Sequence, residues 1–447
     1  MDFVSLCRKI IALDSTPAQG NLAVAEWGAE LCRDIGLDVE LMETSFRGVS
    51  QANLVARGGG KGPVVELLLE SHLDTVDPGS YSLWTLTDRS PFMATLRDGK
   101  IFGLGAAESK LDFLCKWAAI REVGVDRLRK PVALVGTYAE ELGLHGARAL
   151  VKKIGWTAKY ALIGEPSGLD LIYASNGSLI VDFSIPFSTE EMELRREHNE
   201  RESTSSHSRI FHGKAAHSSN PSLGENAIQK MIRYLDDLPE GVLVLSVDGG
   251  TAHNVVADQA TLEVDLNQVI KAGIRNKLLR LVHEIENVSL DFLKYSAEDF
   301  DPPTPTLNLG VIRSNEESVD LVLSMRITPS VNESLLQEWR QRLRKVCDDL
   351  GGKMGVRNIV PPARTPKNSA FTMAALEELR SLGQSSRLVT RSASNEASVF
   401  GSMGTECLAF GPGRGEGNSH GPNEFNELQH LELATQFYRR MIERYCL

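Results

Sequence analysis

The sequence predicts an α/β domain with a mostly parallel central sheet, interrupted by an inserted α+β domain. Short, almost wholly apolar runs occur at Pro63–Glu70, Pro131–Tyr138, Tyr160–Gly164 and Glu406–Phe410. They are too short for ordinary helices and read as buried parallel strands. Stretches with helical apolar spacing separate them, the alternation expected of α/β folds. After Asn176-Gly177 the pattern changes to alternating strands with intermittent helices, and Pro361-Pro362 marks the return. The domains therefore divide as residues 1–177 with 361–447, and the insert 178–360.

Taken in order, Met1 to Asp14 has apolar residues at helical spacing and lacks the long apolar core of a secretion signal, so an amphipathic helix is expected. Residues 21–36 read as a second helix, and Leu54–Arg57 as a strand before a glycine-rich turn and the buried strand 63–70. A long polar loop follows through Trp84 and Pro91-Phe92. Lys110–Val123 is helical, then comes strand 131–138, a helix near Ala147–Ile154 and strand 160–164. In the insert, Ser178–Pro186 alternates like a half-exposed strand. Ser188–Arg209, dense in Glu, Arg and Ser, reads as a mobile surface loop. Helices are expected at 224–238, 276–286 and 335–350, and strands at 242–247, 260–266, 319–327 and 353–360. The last part holds a helix at 371–382, strand 406–410, a glycine-rich loop to His420 and a closing helix at 428–444.

With 447 residues, 42% hydrophobic and 24% charged, the chain has the make-up of an ordinary soluble protein large enough for two domains. A formal charge of −11 argues against a broad nucleic-acid or anionic-membrane surface. No apolar run approaches membrane-spanning length. The six cysteines are scattered without a Cys-x-x-Cys pair, which suits free buried thiols and a cytoplasmic location.

Chemistry-bearing residues gather at the ends of the apolar runs. His72, Glu140-Glu141, Glu165 and His420 all follow short strands, and an open parallel sheet binds its ligands at the carboxyl ends of its strands. Carboxylates with two imidazoles and no cysteine suit catalytic zinc, with manganese or cobalt as substitutes. Asp74, two residues after His72, suits the task of orienting that imidazole through its other nitrogen. Glu140 and Glu141 repel each other, so one bound to metal and one free as a base is a sensible division.

Five blocks carry a family resemblance: Ser-His72-Leu-Asp74-Thr-Val, Phe-Gly-Leu-Gly105-Ala-Ala-Glu108-Ser-Lys110, Tyr-Ala-Glu140-Glu141-Leu-Gly, Ile-Gly-Glu165-Pro-Ser and Asn418-Ser-His420-Gly-Pro-Asn-Glu424. In this order they resemble the co-catalytic zinc amidohydrolases: aminoacylases, acetylornithine deacetylase, succinyl-diaminopimelate desuccinylase, carboxypeptidases and dipeptidases. The resemblance implies a zinc-exopeptidase-like catalytic domain with an inserted lid. It implies two zinc ions, one held by His72, Glu108 and Glu165 and the other by Glu108, Glu141 and His420. Glu108 would bridge them, Glu140 would be the general base and Asp74 would orient His72. Activated water would attack an amide carbonyl in a small N-acyl amino acid or short peptide. The reaction implied is deacylase- or deacetylase-like, with a dipeptidase or carboxypeptidase as the alternative.

In the insert, His217 resembles the lid histidine that polarises the substrate carbonyl, and Asn254 a lid asparagine near the substrate. Arg326 resembles the arginine that grips a substrate carboxylate, for which a guanidinium has bidentate geometry. The segment Leu307–Ile312 resembles the dipeptidase branch, so monomer and homodimer both remain open. Two positions depart from the pattern: Glu108 stands where the family usually has aspartate, and Asn395-Glu396 where many relatives have Thr-Asp or Ser-Asp. A catalytically impaired, amino-acid-binding homologue is the reading these departures favour.

Overall fold

The computed structural model describes residues 2–200, 206–271, 273–384 and 387–447. The chain forms two compact units: Met1–Ser175 with Ala363–Arg391 and Asn395–Leu447, and Asn176–Pro362 with Ser392–Ser394.

The first unit is built on a nine-stranded mixed sheet. Its centre is four parallel strands in the spatial order Val132–Thr137, Val64–His72, Thr157–Gly164 and Glu406–Phe410. Leu67, Leu68 and Leu69 are fully buried, as are Val132–Val135, because helices cover both faces of a parallel sheet. Antiparallel strands flank this centre: Val49–Gly58 with Asp38–Phe46 on one side, Leu171–Ser175 with Ala363–Arg364 on the other. The parallel strands all end at the same edge, at Thr137, His72, Gly164 and Phe410, and the loops leaving that edge hold the candidate ligands.

Helix Lys110–Val123 is buried on nearly all sides and packs between the sheet and the closing helix Leu428–Cys446. Burying a helix whole forces its polar side chains to pair. Lys116 Nζ lies 2.6 Å from Asp112 Oδ2 one turn away, and both are fully sequestered. Asp112 also accepts from Ser71 Oγ at 2.7 Å and from Tyr438 Oη at 2.5 Å. Ser71, the neighbour of His72, is thus tied to two helices through one buried carboxylate.

The second unit is a seven-stranded antiparallel sheet in the order Ser206–His212, Gln259–Val269, Val242–Gly249, Thr306–Ser314, Ser318–Ile327, Gly177–Pro186 and Lys353–Val360. Leu179, Val181, Phe183 and Ile185 alternate into its core, the period-2 signature of a sheet with one covered face. Helices Ala227–Asp237, Ile274–Phe292 and Glu333–Asp349 bury Met231 and Leu235, Leu281 and Ile285, and Trp339 and Leu343 in the same core.

One expectation is corrected outright. Where a loop is expected over 188–209, Thr189–Glu200 is a helix and Ser206–His212 an edge strand; residues 201–205 lie outside the described part. The helix lacks an apolar stripe, so periodicity does not reveal it. Its start is a capping box, with Ser188 N donating to Glu191 Oε2 at 2.8 Å and Glu191 N to Ser188 Oγ at 3.2 Å. Arg195 fastens it by donating to the backbone carbonyls of Leu245, Asn315 and Glu316. Strands Asp38–Phe46 and Leu171–Ser175 have no counterpart in the sequence reading, the first because it is half-exposed along its length. The six cysteines are free and buried. No helix among the described residues is long and apolar enough to cross a membrane.

Candidate metal centre and its family

His72 ends its strand, and its ring is held at Nδ1, 3.1 Å from the Asp74 carbonyl and 3.6 Å from the Asp74 carboxylate. Nε2 is buried and has no hydrogen-bond partner among the described residues. An imidazole anchored by one nitrogen with the other left bare is prepared to bind a cation. The Asp74 carboxylate does a second job: Oδ1 accepts from Glu140 N at 3.0 Å and Oδ2 from Glu141 N at 3.2 Å. It therefore joins the loops after two neighbouring strands.

Two groups of potential ligand atoms result, each with all its atoms within 4.8 Å of one another: His72, Glu140 and Glu141, and Glu108, Glu141 and His420. Glu141 belongs to both. His420 Nε2 lies 2.6 Å from Glu141 Oε1 and 3.1 Å from Glu108 Oε2. The additional methylene of Glu108 therefore does not carry its carboxylate out of the cluster. The glycine-rich loop before His420 passes so close to the Glu108 segment that a side-chain carbon on Gly413 would meet the Ala107 carbonyl oxygen at 2.0 Å.

The electrostatics are those of buried acids short of positive charge. Burial pushes Glu140 well above the ordinary carboxylate range; His72 offsets part of this, while Glu141, Glu165 and Asp74 add to it. Burial and the charge of Glu108 push Glu165 up to about 8. Burial raises Glu141 too, although the His420 hydrogen bond pulls the other way. Glu108 is lowered: burial pushes it up, but the His420 hydrogen bond and charge outweigh that. Burial disfavours a charged His420, yet its bonds to Glu108 and Glu141 lift it to about 11. A protonated imidazole between two carboxylates occupies the place of a cation, so the donor set fits divalent metal.

Glu396 lies beneath this cluster, not in it. Its Oε2 and Glu70 Oε1 both accept from Thr137 Oγ1, at 2.9 and 3.2 Å. An acid directly after the apolar run Leu67–Leu69 is the sequence signal for this pair. Asn254, His217 and Arg326 belong to the second unit. Ser218 N donates to the Asn254 carbonyl at 2.9 Å, and His217 forms a bridge with Val255. Arg326 pairs across the sheet with Thr306, whose hydroxyl donates to the Ser218 carbonyl at 3.3 Å. Burial and then the Arg326 charge hold His217 below its ordinary pKa, and Arg326 Nε is buried without a hydrogen-bond partner among the described residues. The three residues thus share one region of that unit.

A parallel-centred α/β sheet with overlapping imidazole and carboxylate groups near its strand ends is an arrangement able to hold divalent metal, and the family match makes its class a metal-dependent peptide hydrolase. The chain belongs to Peptidase family M20/M25/M40, whose family model matches residues 68–444. Solved structures share its fold. An aminoacylhistidine dipeptidase from Vibrio alginolyticus superposes with a TM-score of 0.66 at 15% identity over 99% of this chain and 96% of the other. An M20 family metallo-carboxypeptidase from Sulfolobus solfataricus gives 0.65 at 17% identity over 100% and 99%. A di-peptidase from Saccharomyces cerevisiae gives 0.59 at 14% over 99% and 95%.

Proposed function

We propose that this chain hydrolyses the amide bond of a small N-acyl amino acid or short peptide, using two zinc ions. The observation that carries the reading is the pair of ligand groups that share Glu141, with the bare, buried Nε2 of His72 aimed among carboxylates. Glu108, Glu141 and His420, which the structure gathers, would hold one ion; for the other the resemblance implies His72, Glu108 and Glu165, whereas the residues gathered at His72 are Glu140 and Glu141. Bound metal would polarise the amide carbonyl and make water more acidic.

The chain's own residues do the rest. Glu140 takes a proton from water at a carboxylate oxygen and delivers it to the departing amine. Burial raises its proton affinity in the metal-free chain, and bound cations beside it would lower that again and leave it ionised to act as a base. Asp74 fixes His72 through Nδ1 and holds the backbone of Glu140 and Glu141. Within the second unit, Arg326 is the candidate to receive the substrate carboxylate, and the resemblance makes His217 and Asn254 its companions in substrate binding. Free, buried thiols support a cytoplasmic home.

A panel of N-acetyl and N-succinyl amino acids and short peptides, assayed with zinc, manganese and cobalt, tests the reading. Turnover of one class, lost on chelation, is expected. A metal-free protein that binds an amino acid without turnover would establish the impaired homologue instead.

A further inference from the structure

The segment bearing Glu108 and the loop bearing His420 are joined by one carboxylate that touches neither ligand side chain. Glu424 is 2% exposed. Its Oε1 accepts from Ala107 N at 2.7 Å and from Glu108 N at 3.2 Å. Its carbonyl accepts from Gly103 N at 2.9 Å, and Asn426 Nδ2 donates to the Ala106 carbonyl at 2.9 Å. Asn418 closes the His420 loop on itself, donating to the Phe425 carbonyl at 2.9 Å and accepting from Phe425 N at 3.1 Å. Both ligands are therefore mounted on a single cross-braced piece of backbone.

A carboxylate is an expensive way to satisfy two N–H groups. The observed bonds give it one evident effect, the fixing of this backbone. Glu108 has one more rotatable bond than aspartate, so a free backbone at this point would leave the ligand oxygen loosely placed.

We propose that Glu424 is a positioning residue for the metal centre. It fixes the Ala107–Glu108 backbone, and through it keeps the Glu108 carboxylate in register with His420 and Glu141. This rests on the metal-site reading given above.

The test uses the full chain and its Glu424→Ala and Glu424→Gln variants, stripped of metal and titrated with zinc against a chromophoric chelator. Glutamine keeps an acceptor oxygen at the same reach; alanine does not. The parent is expected to bind two zinc ions. Glu424→Ala is expected to bind both ions, which share Glu108, roughly 10–100-fold more weakly, the usual cost of losing a partner behind a metal ligand. Glu424→Gln should recover most of that affinity. Melting temperatures of the metal-free forms show whether alanine merely loosens the fold. Parent-like affinity in Glu424→Ala, or no recovery with glutamine, overturns the proposal while leaving the metal site intact. A parent that binds no zinc overturns the metal-site reading itself, and this inference with it.

Discussion

Glu108, Glu140, Glu141 and Glu165 acquire their chemistry from burial beside one another, and that has measurable consequences for single residues. His420, lifted to about 11, is protonated at neutral pH in the metal-free protein, and Glu165 at about 8 largely so. Ligands must shed protons to bind metal. Loading two zinc ions at pH 7 should therefore release more than one proton, read from the observed binding enthalpy in buffers of different ionisation enthalpy. Glu140→Ala should lower kcat at least about 100-fold with zinc content unchanged by elemental analysis; retained turnover would remove Glu140 from its role. Glu396 offers a test away from the ligands. Burial and the facing charge of Glu70 raise it well above the ordinary carboxylate value of 4.5. A carboxyl raised on folding stabilises fully below its unfolded value, and that stability drains away as pH rises towards the folded value. The loss is about 1.4 kcal/mol per pH unit for one proton. Glu396→Gln has no such proton, so its stability between pH 5 and 8 should fall less steeply than the parent's in urea titrations.

At the level of elements, helix Lys110–Val123 shows what a buried ion pair does for a site. Lys116 and Asp112 are sealed between sheet and closing helix, and Asp112 bonds the residue before His72. Lys116→Met leaves that carboxylate buried without its cation and should cost about 3–5 kcal/mol. Adding Asp112→Asn should recover part of the loss, as measured by denaturant unfolding. The same helix was legible in the sequence from end to end, because apolar residues and a downstream glycine bound it. Helix Thr189–Glu200 was not, since its stability comes from a cap and from Arg195 reaching carbonyls about 50 and 120 residues away.

For the whole molecule, metal is expected to act as a stabiliser as well as a cofactor. Binding to the folded chain alone contributes about 2.7 kcal/mol at a hundredfold excess over Kd. Chelation should therefore lower the melting temperature and abolish turnover together, and zinc should restore both. An unchanged melting temperature after verified metal removal would argue against a site built into the fold.

The sequence by itself determined the fold class, the α+β character of the insert and the catalytic class. Parallel strands announce themselves as almost wholly apolar runs, and most of the candidate ligand blocks follow them in order. What the tertiary structure decided is which of these residues meet. It brings Glu141 into both ligand groups, turns the Asp74 carboxylate towards the Glu140 and Glu141 backbone, and seats Glu396 under the cluster against Glu70. It also ties Glu424 to the backbone of Glu108 across more than three hundred residues of chain. Periodicity records which side of an element is buried. It carries no information on which buried oxygen faces which nitrogen, because that is settled only when distant strands end at one edge.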